Sequence, residues 1–356
     1  MKVLSVVGAR PQFVKLAPIA AALAGTSHEH VIVHTGQHYD PDLSDVFFSG
    51  LDIPAAEVHL GIGSGSHGSQ TGAMLTALDP ILEAQQPNWV LVYGDTNSTL
   101  AATLSAVKQH LPVAHLEAGL RSFNRRMPEE HNRVVTDHAA DLLLAPSDIA
   151  VGHLEREGLV ARTRLVGDVM VDVCFRVRDQ VLEADEVPAS DQPYLLATMH
   201  RPDNTDDPRR LEDLVSALAE LPLSVRLLAH PRLLARAAAA GVVLERGSIT
   251  IERPLPYREL VAAVLGSSGV VTDSGGLQKE AFLLRRPCTT LRTETEWSET
   301  VREGWNSLVP DPHLLGHQEW LDTPTRSCPE TAAAPYGTGR AAEAVVRELE
   351  SHVALT

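Results

Sequence analysis

Cysteine is nearly absent from this chain. Cys174, Cys288 and Cys328 are the only three, far apart and outside any Cys-x-x-Cys or Cys/His spacing. That argues against a zinc site and against a disulfide framework. Aromatic residues make up 4% of the sequence, so the cores must be assembled from Val, Leu, Ile and Ala. Positive charge is short as well. The formal net charge is −16, whereas a nucleic-acid partner would ask for a basic face; a nucleotide needs only a local positive pocket. No apolar run approaches the length of a membrane span, and the opening K-V-L-S-V-V-G-A-R is too short and too early for a signal peptide. The expectation is a cytoplasmic protein with no membrane and no nucleic-acid partner. Lysine occurs only at positions 2, 15, 108 and 279, which singles out Lys15 and Lys279 because both fall inside motifs.

What is present is an alternation. Short apolar runs predict strands at 2–7, 31–34, 89–93, 112–114 and 141–145, then at 194–198, 224–229, 249–252, 269–272 and 287–291. Stretches with apolar residues at helical spacing lie between them, as a parallel sheet covered on both faces requires. The fold class expected is α/β, two doubly wound Rossmann-like domains facing a central cleft. At 356 residues the chain is long enough for both. The predicted boundaries are 1–168 for the first domain, 169–193 for a linker region that ends in an acidic, Pro-containing stretch, 194–335 for the second domain, and 336–356 for an amphipathic helix packing back across the two.

Polar residues gather at the carboxyl ends of the predicted strands, where doubly wound sheets bind ligands. The densest stretch is 115–133, H-L-E-A-G-L-R-S-F-N-R-R-M-P-E-E-H-N-R, which carries Glu117, Glu129 and Glu130 with four arginines, two histidines and two asparagines. Its plainer reading is a solvated loop of ion pairs. Asp95 follows another strand and precedes Thr96-Asn97-Ser98-Thr99; its plainer reading is a helix N-cap. Arg10 and Lys15 flank the turn Gly8-Ala9-Arg10-Pro11, where Pro11 suits the first turn of a helix, and they are equally readable as helix-surface charge. Asp273-Ser274-Gly275-Gly276, at a strand-to-helix junction, is the most informative short motif. Its glycines let backbone N–H groups approach an anion, the helix dipole favours negative charge, and Ser274 adds a hydroxyl. Glu280, further into the same helix, could accept the two hydroxyls of a ribose. The bland alternative is a tight connection followed by a surface glutamate.

Across essentially its whole length the sequence resembles the non-hydrolysing UDP-N-acetylglucosamine 2-epimerases, which have a glycosyltransferase-B type fold. The motifs that carry the resemblance are G-A-R-P-Q-F-V-K, T-G-Q-H-Y-D, G-S-G-S-H-G, V-Y-G-D-T-N-S-T-L-A, the 115–133 stretch, V-G-D-V-M-V-D, M-H-R-P-D-N, H-P-R, D-S-G-G-L-Q-K-E and T-E-W-S-E-T-V. The resemblance implies that Asp95, Glu117 and Glu129 do acid/base work at the sugar and that His200 assists the departing diphosphate. It also implies a substrate-binding set of Arg10, Lys15, Arg121, His230, Ser274, Gly275, Gly276, Glu280 and Arg292. The implied partner is a UDP-N-acetylhexosamine, with no cofactor, no metal, and a homodimer as the assembly.

The implied reaction inverts C2 of the sugar, where the proton is poorly acidic. UDP is eliminated to give 2-acetamidoglucal and then added back, with the proton delivered to the other face. A base, an acid and stabilisation of the leaving phosphate suffice. Two departures stand out. His131 replaces a small or aliphatic residue beside the acid/base carboxylates, and Q-H-Y-D differs from the form found in relatives activated by their own substrate, so that activation is not expected. The alternatives are a hydrolysing epimerase releasing ManNAc and UDP, a 2-epimerase of a modified substrate such as a 2,3-diacetamido uronic acid, a glycosyltransferase, and a nucleotide-sugar binding protein.

Overall fold

The computed structural model describes residues 1–37, 53–188 and 192–353, excepting the side chains of residues 10 and 353. The T-G-Q-H-Y-D motif from position 38 onward and positions 189–191 of the expected linker lie outside the described residues. The first sheet has seven parallel strands: β1 (Lys2–Val7), β2 (Glu29–His34), β3 (Val58–His59), β4 (Trp89–Tyr93), β5 (Val113–Leu116), β6 (Leu142–Ala145) and β7 (Thr163–Leu165). Their spatial order is β3-β2-β1-β4-β5-β6-β7. The helices along this part are α1 (Arg10–Ala24), α2 (His67–Gln85), α3 (Asn97–Lys108), α4 (Pro128–Ala139), α5 (Asp148–Arg156) and α6 (Val169–Glu183). The second sheet has six parallel strands, β8 (Tyr194–Thr198), β9 (Ser224–Leu228), β10 (Ile249–Glu252), β11 (Gly269–Thr272), β12 (Cys288–Thr290) and β13 (Asn306–Leu308), in the order β10-β9-β8-β11-β12-β13. With it come α7 (Pro202–Thr205), α8 (Pro208–Ala219), α9 (Pro231–Ala240), α10 (Tyr257–Gly266), α11 (Gly275–Leu283), α12 (Ser298–Arg302) and α13 (His317–Asp322); α14 (Ala341–Val353) closes the chain.

The chain divides into two compact units, one of Met1–Val173 with Ala334–Thr356 and the other of Cys174–Ala333. The division falls inside α6, so the first part of the expected linker is a helix. Its buried residues Val171, Cys174, Val177 and Val181 recur at helical spacing and explain why. All three cysteines are free.

In the first unit the strand period separates two cores. Val3 and Val7 of β1, with Trp89, Leu91 and Tyr93 of β4, face the α1 side, where Phe13, Leu16, Ile19 and Leu23 pack. Leu4, Val6, Val90 and Val92 face the other side, against Met74, Leu78 and Leu82 of α2 and Ala101, Ala102 and Ala106 of α3. Apolar residues on both faces of a strand are what a sheet covered on both sides selects. The final helix joins the first of these cores through Ala341, Ala342, Val345, Val346 and Leu349. Trp89 Nε1 donates to the Leu349 carbonyl at 3.0 Å, and the Asp172 carboxylate receives the N–H groups of Ala341 and Ala342 at 3.0 and 2.8 Å. In the second unit, Leu195, Ala197, Val225, Leu227 and Val271 of the strands pack on Leu211, Leu214, Val215 and Leu218 of α8.

Each strand order reverses once. The reversal lies between β1 and β4 in the first unit and between β8 and β11 in the second. The connections leave in opposite directions there and open a crevice at the strands' carboxyl ends, which is where open α/β sheets place ligands.

One buried chain of polar groups crosses the first sheet. Ser5 Oγ lies 2.7 Å from the Tyr93 hydroxyl and 2.8 Å from His30 Nε2. Burial lowers the His30 pKa to about 4, against a weaker opposing pull from Glu57. A base with a depressed folded pKa costs nothing above pH 6.5, where both states are neutral. As pH falls from 6.5 toward 4 the unfolded chain takes the proton first and stability is lost. We expect His30 to remove about 2 kcal/mol of stability by pH 5. Urea unfolding at pH 7.5 and 5 checks this: His30→Gln should lose less stability over that interval than the wild type by about that amount.

Candidate active site

In the first unit the crevice is built by the ends of β1, β4 and β5. Lys15, one turn into α1, donates from Nζ to Glu117 Oε2, and both side chains are largely buried. Burial alone would lower the lysine pKa. The charge and hydrogen bond of Glu117, with Asp95 and Asp168 behind it, outweigh that and raise it, so Lys15 is a cation. Glu117 reaches the lysine because its backbone is left-handed, with φ of 70° and its N–H donating to the Leu144 carbonyl at 3.1 Å. Such a conformation costs a non-glycine residue about 1 kcal/mol and persists only where the surroundings impose it. Gly94, at the end of β4, leaves room for the pair: a Cβ there would stand 3.1 Å from Glu117 Oε2 and 3.2 Å from Lys15 Nζ. Gln12 secures the β1–α1 turn, accepting from Gly8 and Ala9 N–H at 2.8 and 3.1 Å and donating to the Tyr93 carbonyl at 2.9 Å.

Asp95 is not the cap of α3. Thr96 is, its hydroxyl accepting from Thr99 N–H. The Asp95 carboxylate instead receives Arg133 Nη2, and its carbonyl receives Asn132 Nδ2 at 2.9 Å. Both donors project from α4, so the last six residues of the 115–133 stretch, which could have been a solvated loop, are helical. Its two adjacent glutamates have different fates. Glu130 accepts from Ser122 N–H and Oγ at 2.9 Å each and from Phe123 N–H at 2.8 Å. Burial would raise its pKa, but these donors and Arg133 hold it below the usual carboxylate range. Glu129 is half-buried, with no hydrogen bond or ion pair among the described residues. His131 points to the Arg125 carbonyl at 2.8 Å and lines a cavity of about 560 Å³ with His67, Asn97 and Asn132.

A dry ionic cluster lies beneath this set. Asp137 and Arg121, with side chains 0% and 1% exposed, are 2.7 Å apart. His115 places Nδ1 2.6 Å from Asp137 and Nε2 2.7 Å from the Gly94 carbonyl. Gly119 N–H donates to the other Asp137 oxygen at 3.1 Å. Burial would raise the Asp137 pKa, but His115 and Arg121 outweigh it and lower it. Arg121 is further engaged by Glu157, through Nε at 2.8 Å and Nη2 at 2.7 Å.

In the second unit Asp273, at the end of β11 and fully buried, plays a matching part. It accepts from the N–H groups of His200 (3.0 Å) and Arg201 (2.9 Å) and from Asn204 Nδ2 (3.1 Å). His200 Nδ1 lies 3.3 Å from Asp273 Oδ1, with the imidazole 44% exposed. A proton held on Nδ1 leaves Nε2 as the nitrogen free to act. Ser274 caps α11 through Leu277 N–H. A cavity of about 260 Å³ is lined by His200, His230, Tyr257, Ser274, Gly276 and Glu280, among others. Desolvation raises the Glu280 pKa against the opposing influence of Tyr257 and Lys279. His230 caps α9, and its ring centroid is 6.3 Å from that of His200. Arg292 pairs with Glu296 at 2.8 Å. Arg10 is the first residue of α1, and its side chain lies outside the described residues.

The family model described as UDP-N-acetylglucosamine 2-epimerase matches residues 21–350. The chain belongs to the UDP-N-acetylglucosamine 2-epimerase family. It is 44% identical over 316 residues, 87% of this chain and 88% of the relative, to the UDP-2,3-diacetamido-2,3-dideoxy-D-glucuronate 2-epimerase of Pseudomonas aeruginosa. The solved UDP-GlcNAc 2-epimerase of Methanocaldococcus jannaschii superposes with a TM-score of 0.86 at 36% identity, over 99% of this chain and 100% of that one. A structure of the Methanocaldococcus jannaschii enzyme in complex with UDP-GlcNAc and UDP gives 0.81 at the same identity and coverage. The two parallel sheets are thus those of the glycosyltransferase-B type fold of these epimerases.

Within this epimerase family member, the first unit gathers Lys15, Asp95 and Glu117 at the carboxyl ends of its central strands, where Lys15 pairs with Glu117 and feels the charge of Asp95. The second gathers His200, His230, Ser274, Gly276 and Glu280 around one cavity. Arg121 joins neither group, because its guanidinium is committed to Asp137 and Glu157. Sequence reasoning quoted Asp273 and Arg133 within motifs without giving either a role, and passed over Asp137. Asp273 had a signal, standing next to Ser274 at a strand end. Asp137 had none, because its partner His115 is 22 residues away in sequence. Asp137→Asn should leave the buried Arg121 with Glu157 as its one remaining counter-charge among the described residues and cost about 3–5 kcal/mol. Denaturant unfolding checks this, and a loss under 1 kcal/mol would contradict the cluster's role.

Proposed function

We propose that this chain is an isomerase interconverting UDP-GlcNAc and UDP-ManNAc by anti elimination of UDP to 2-acetamidoglucal and re-addition. The observation that carries the reading is the first unit's carboxylate set. Among the described residues, Asp95 and Glu117 are each held at a strand end by one cation, and the Glu129 side chain has no partner. Removing the C2 proton from one face and returning it to the other needs two such groups with different surroundings. Asp95, Glu117 and Glu129 are the acid/base candidates. His200, oriented by Asp273, assists the C1–O cleavage that releases the diphosphate. The 260 Å³ cavity with Ser274, Gly276 and Glu280 receives UDP. Support comes from the family relationship and from the related structure in complex with UDP-GlcNAc and UDP.

A second reading is favoured by one finding, the 44% identity to a 2-epimerase of a 2,3-diacetamido uronate. The same elimination would then act on a substituted UDP-hexosamine. By resemblance, the protein is a cytoplasmic homodimer. Light scattering should return twice the 38.4 kDa chain mass, and a monomer would contradict it.

Proton NMR of the protein with UDP-GlcNAc in D2O decides between the sugars. Deuterium at C2 with a growing UDP-ManNAc signal is the expected outcome. Free ManNAc and UDP would mean hydrolysis, and no exchange would turn attention to the diacetamido uronate. On the active sugar, Glu117→Gln or Glu129→Gln should cut turnover at least about 100-fold. Near-normal turnover in either would remove that residue from the acid/base set.

A further inference from the structure

The first turn of α11 is the segment to which the proposed function assigns the diphosphate, and a carboxylate of the same chain sits on it. A Cβ built on Gly275 would lie 2.5 Å from Glu296 Oε1 and 3.9 Å from Arg201 Nη2. Glu296 therefore stands directly over the first helical residue. Its Oε2 accepts from Arg292 Nη1 at 2.8 Å, and Oε1 lies 3.7 Å from Arg201 Nη2. Arg201 is itself anchored, its Nε donating to the Asp273 carbonyl at 3.0 Å. Two guanidinium groups and a helix N-terminus thus converge on one carboxylate, the charge arrangement that a phosphate would seek. Packing does not demand it. Glu296 is 46% exposed and could turn into water, whereas Arg292, 12% exposed, could not follow it. The arginines have an open side, because both line a cavity of about 450 Å³ with Asn204, Thr293 and Glu294.

We propose that Glu296 is an internal counter-anion of the diphosphate seat, displaced when a nucleoside diphosphate binds and returning as it leaves. The inference rests on the assignment of UDP to the second unit. Two anions cannot share this seat, because like charges a few ångströms apart repel strongly away from bulk water. Entry of the diphosphate transfers Arg201 and Arg292 from Glu296 to the phosphates. Its departure is favoured by the carboxylate ready to take them back. Glu296 thereby lowers the affinity for the diphosphate without touching the base. That suits a cycle in which the diphosphate must be held through elimination and re-addition and then let go with the sugar.

A residue that bound the diphosphate directly would weaken binding when removed, and a mere brace of the 291–297 segment would leave it unchanged or weaker. A competitor does the opposite. Calorimetric titration of the full-length protein, Glu296→Gln and Glu296→Ala with UDP and, separately, with uridine distinguishes them. We expect UDP to bind both variants about 5- to 20-fold more tightly than the wild type, with uridine unchanged and the UDP gain shrinking as salt is raised. Equal or weaker UDP binding by both variants overturns the proposal while leaving the UDP assignment standing. A parallel gain for uridine overturns it too, since the effect would not be one of charge. Wild type and variants that all fail to bind UDP while melting normally would sink the UDP assignment and this inference together.

Discussion

Asp137 has no access to water, yet it faces an arginine that is equally dry. Neither charge could stay there alone: an isolated buried ion costs several kcal/mol, and removing one partner of a buried pair exposes that cost in full. The cluster therefore has to be complete, and completing it recruits the backbone. His115 bridges Asp137 to the carbonyl of Gly94, the residue before Asp95. Gly119 N–H, two residues after Glu117, supplies a further donor. The loops that carry two acid/base candidates are thus locked to one buried charge. In the second unit Asp273 collects the backbone after β8 in the same way and sets the position of His200.

Around that anchor three carboxylates differ in their surroundings, Asp95 and Glu117 just after strands and Glu129 in the first turn of α4. Glu117 is bound to Lys15 from α1, Asp95 to Arg133 from α4, and Glu129 to neither. Each pairing comes from a different element, so the environment of one carboxylate can change without moving the others. A reaction that takes a proton on one face and gives it on the other depends on such inequality. Glu130 shows the contrast. It has more donors than any of the three, and the three from Ser122 and Phe123 close the 122–130 turn, while the fourth comes from Arg133.

Much of this was legible from residues alone. The doubly apolar strands read as buried parallel strands, and the crossing points of the two sheets fall where the polar motifs cluster. Asp95 could be read either as a cap or as a functional carboxylate, and local sequence has no means to decide. The decision came from Arg133, 38 residues away. Glu129 and Glu130 are adjacent and chemically alike; only a helix phase set by tertiary packing separates the turn-closing carboxylate from one with no side-chain partner among the described residues. Arg121 is the opposite case. The family resemblance implied a ligand contact for it, and its burial beside Asp137 was invisible because ion-pair partners leave no trace in spacing. The helix over Val169–Glu183 hid within an expected linker for a related reason: it belongs to both units, so neither domain pattern claims it.

Net charge of −16 and an anionic substrate look contradictory, and the distances remove the conflict. At physiological salt the Debye length is about 8 Å, so the mean field of the surface decays before it reaches a recessed strand end. What any anion meets at a strand end is local. In the second unit that is the start of α11, the Ser274 hydroxyl, and two arginines held in place by the backbone of Asp273 and by Glu296. An acidic protein gains from this economy of cations, because each arginine kept near the seat must have a carboxylate close by or attract anions at random. On the proposal above, pairing the arginines within the fold would keep the seat selective for a ligand with enough charge and the right geometry to displace Glu296. Lysine scarcity follows the same logic. Arginine's planar fork can hold a carboxylate and still present N–H groups to a second anion, whereas an ammonium such as Lys15 is a single point of charge and is used where one fixed partner, Glu117, is wanted.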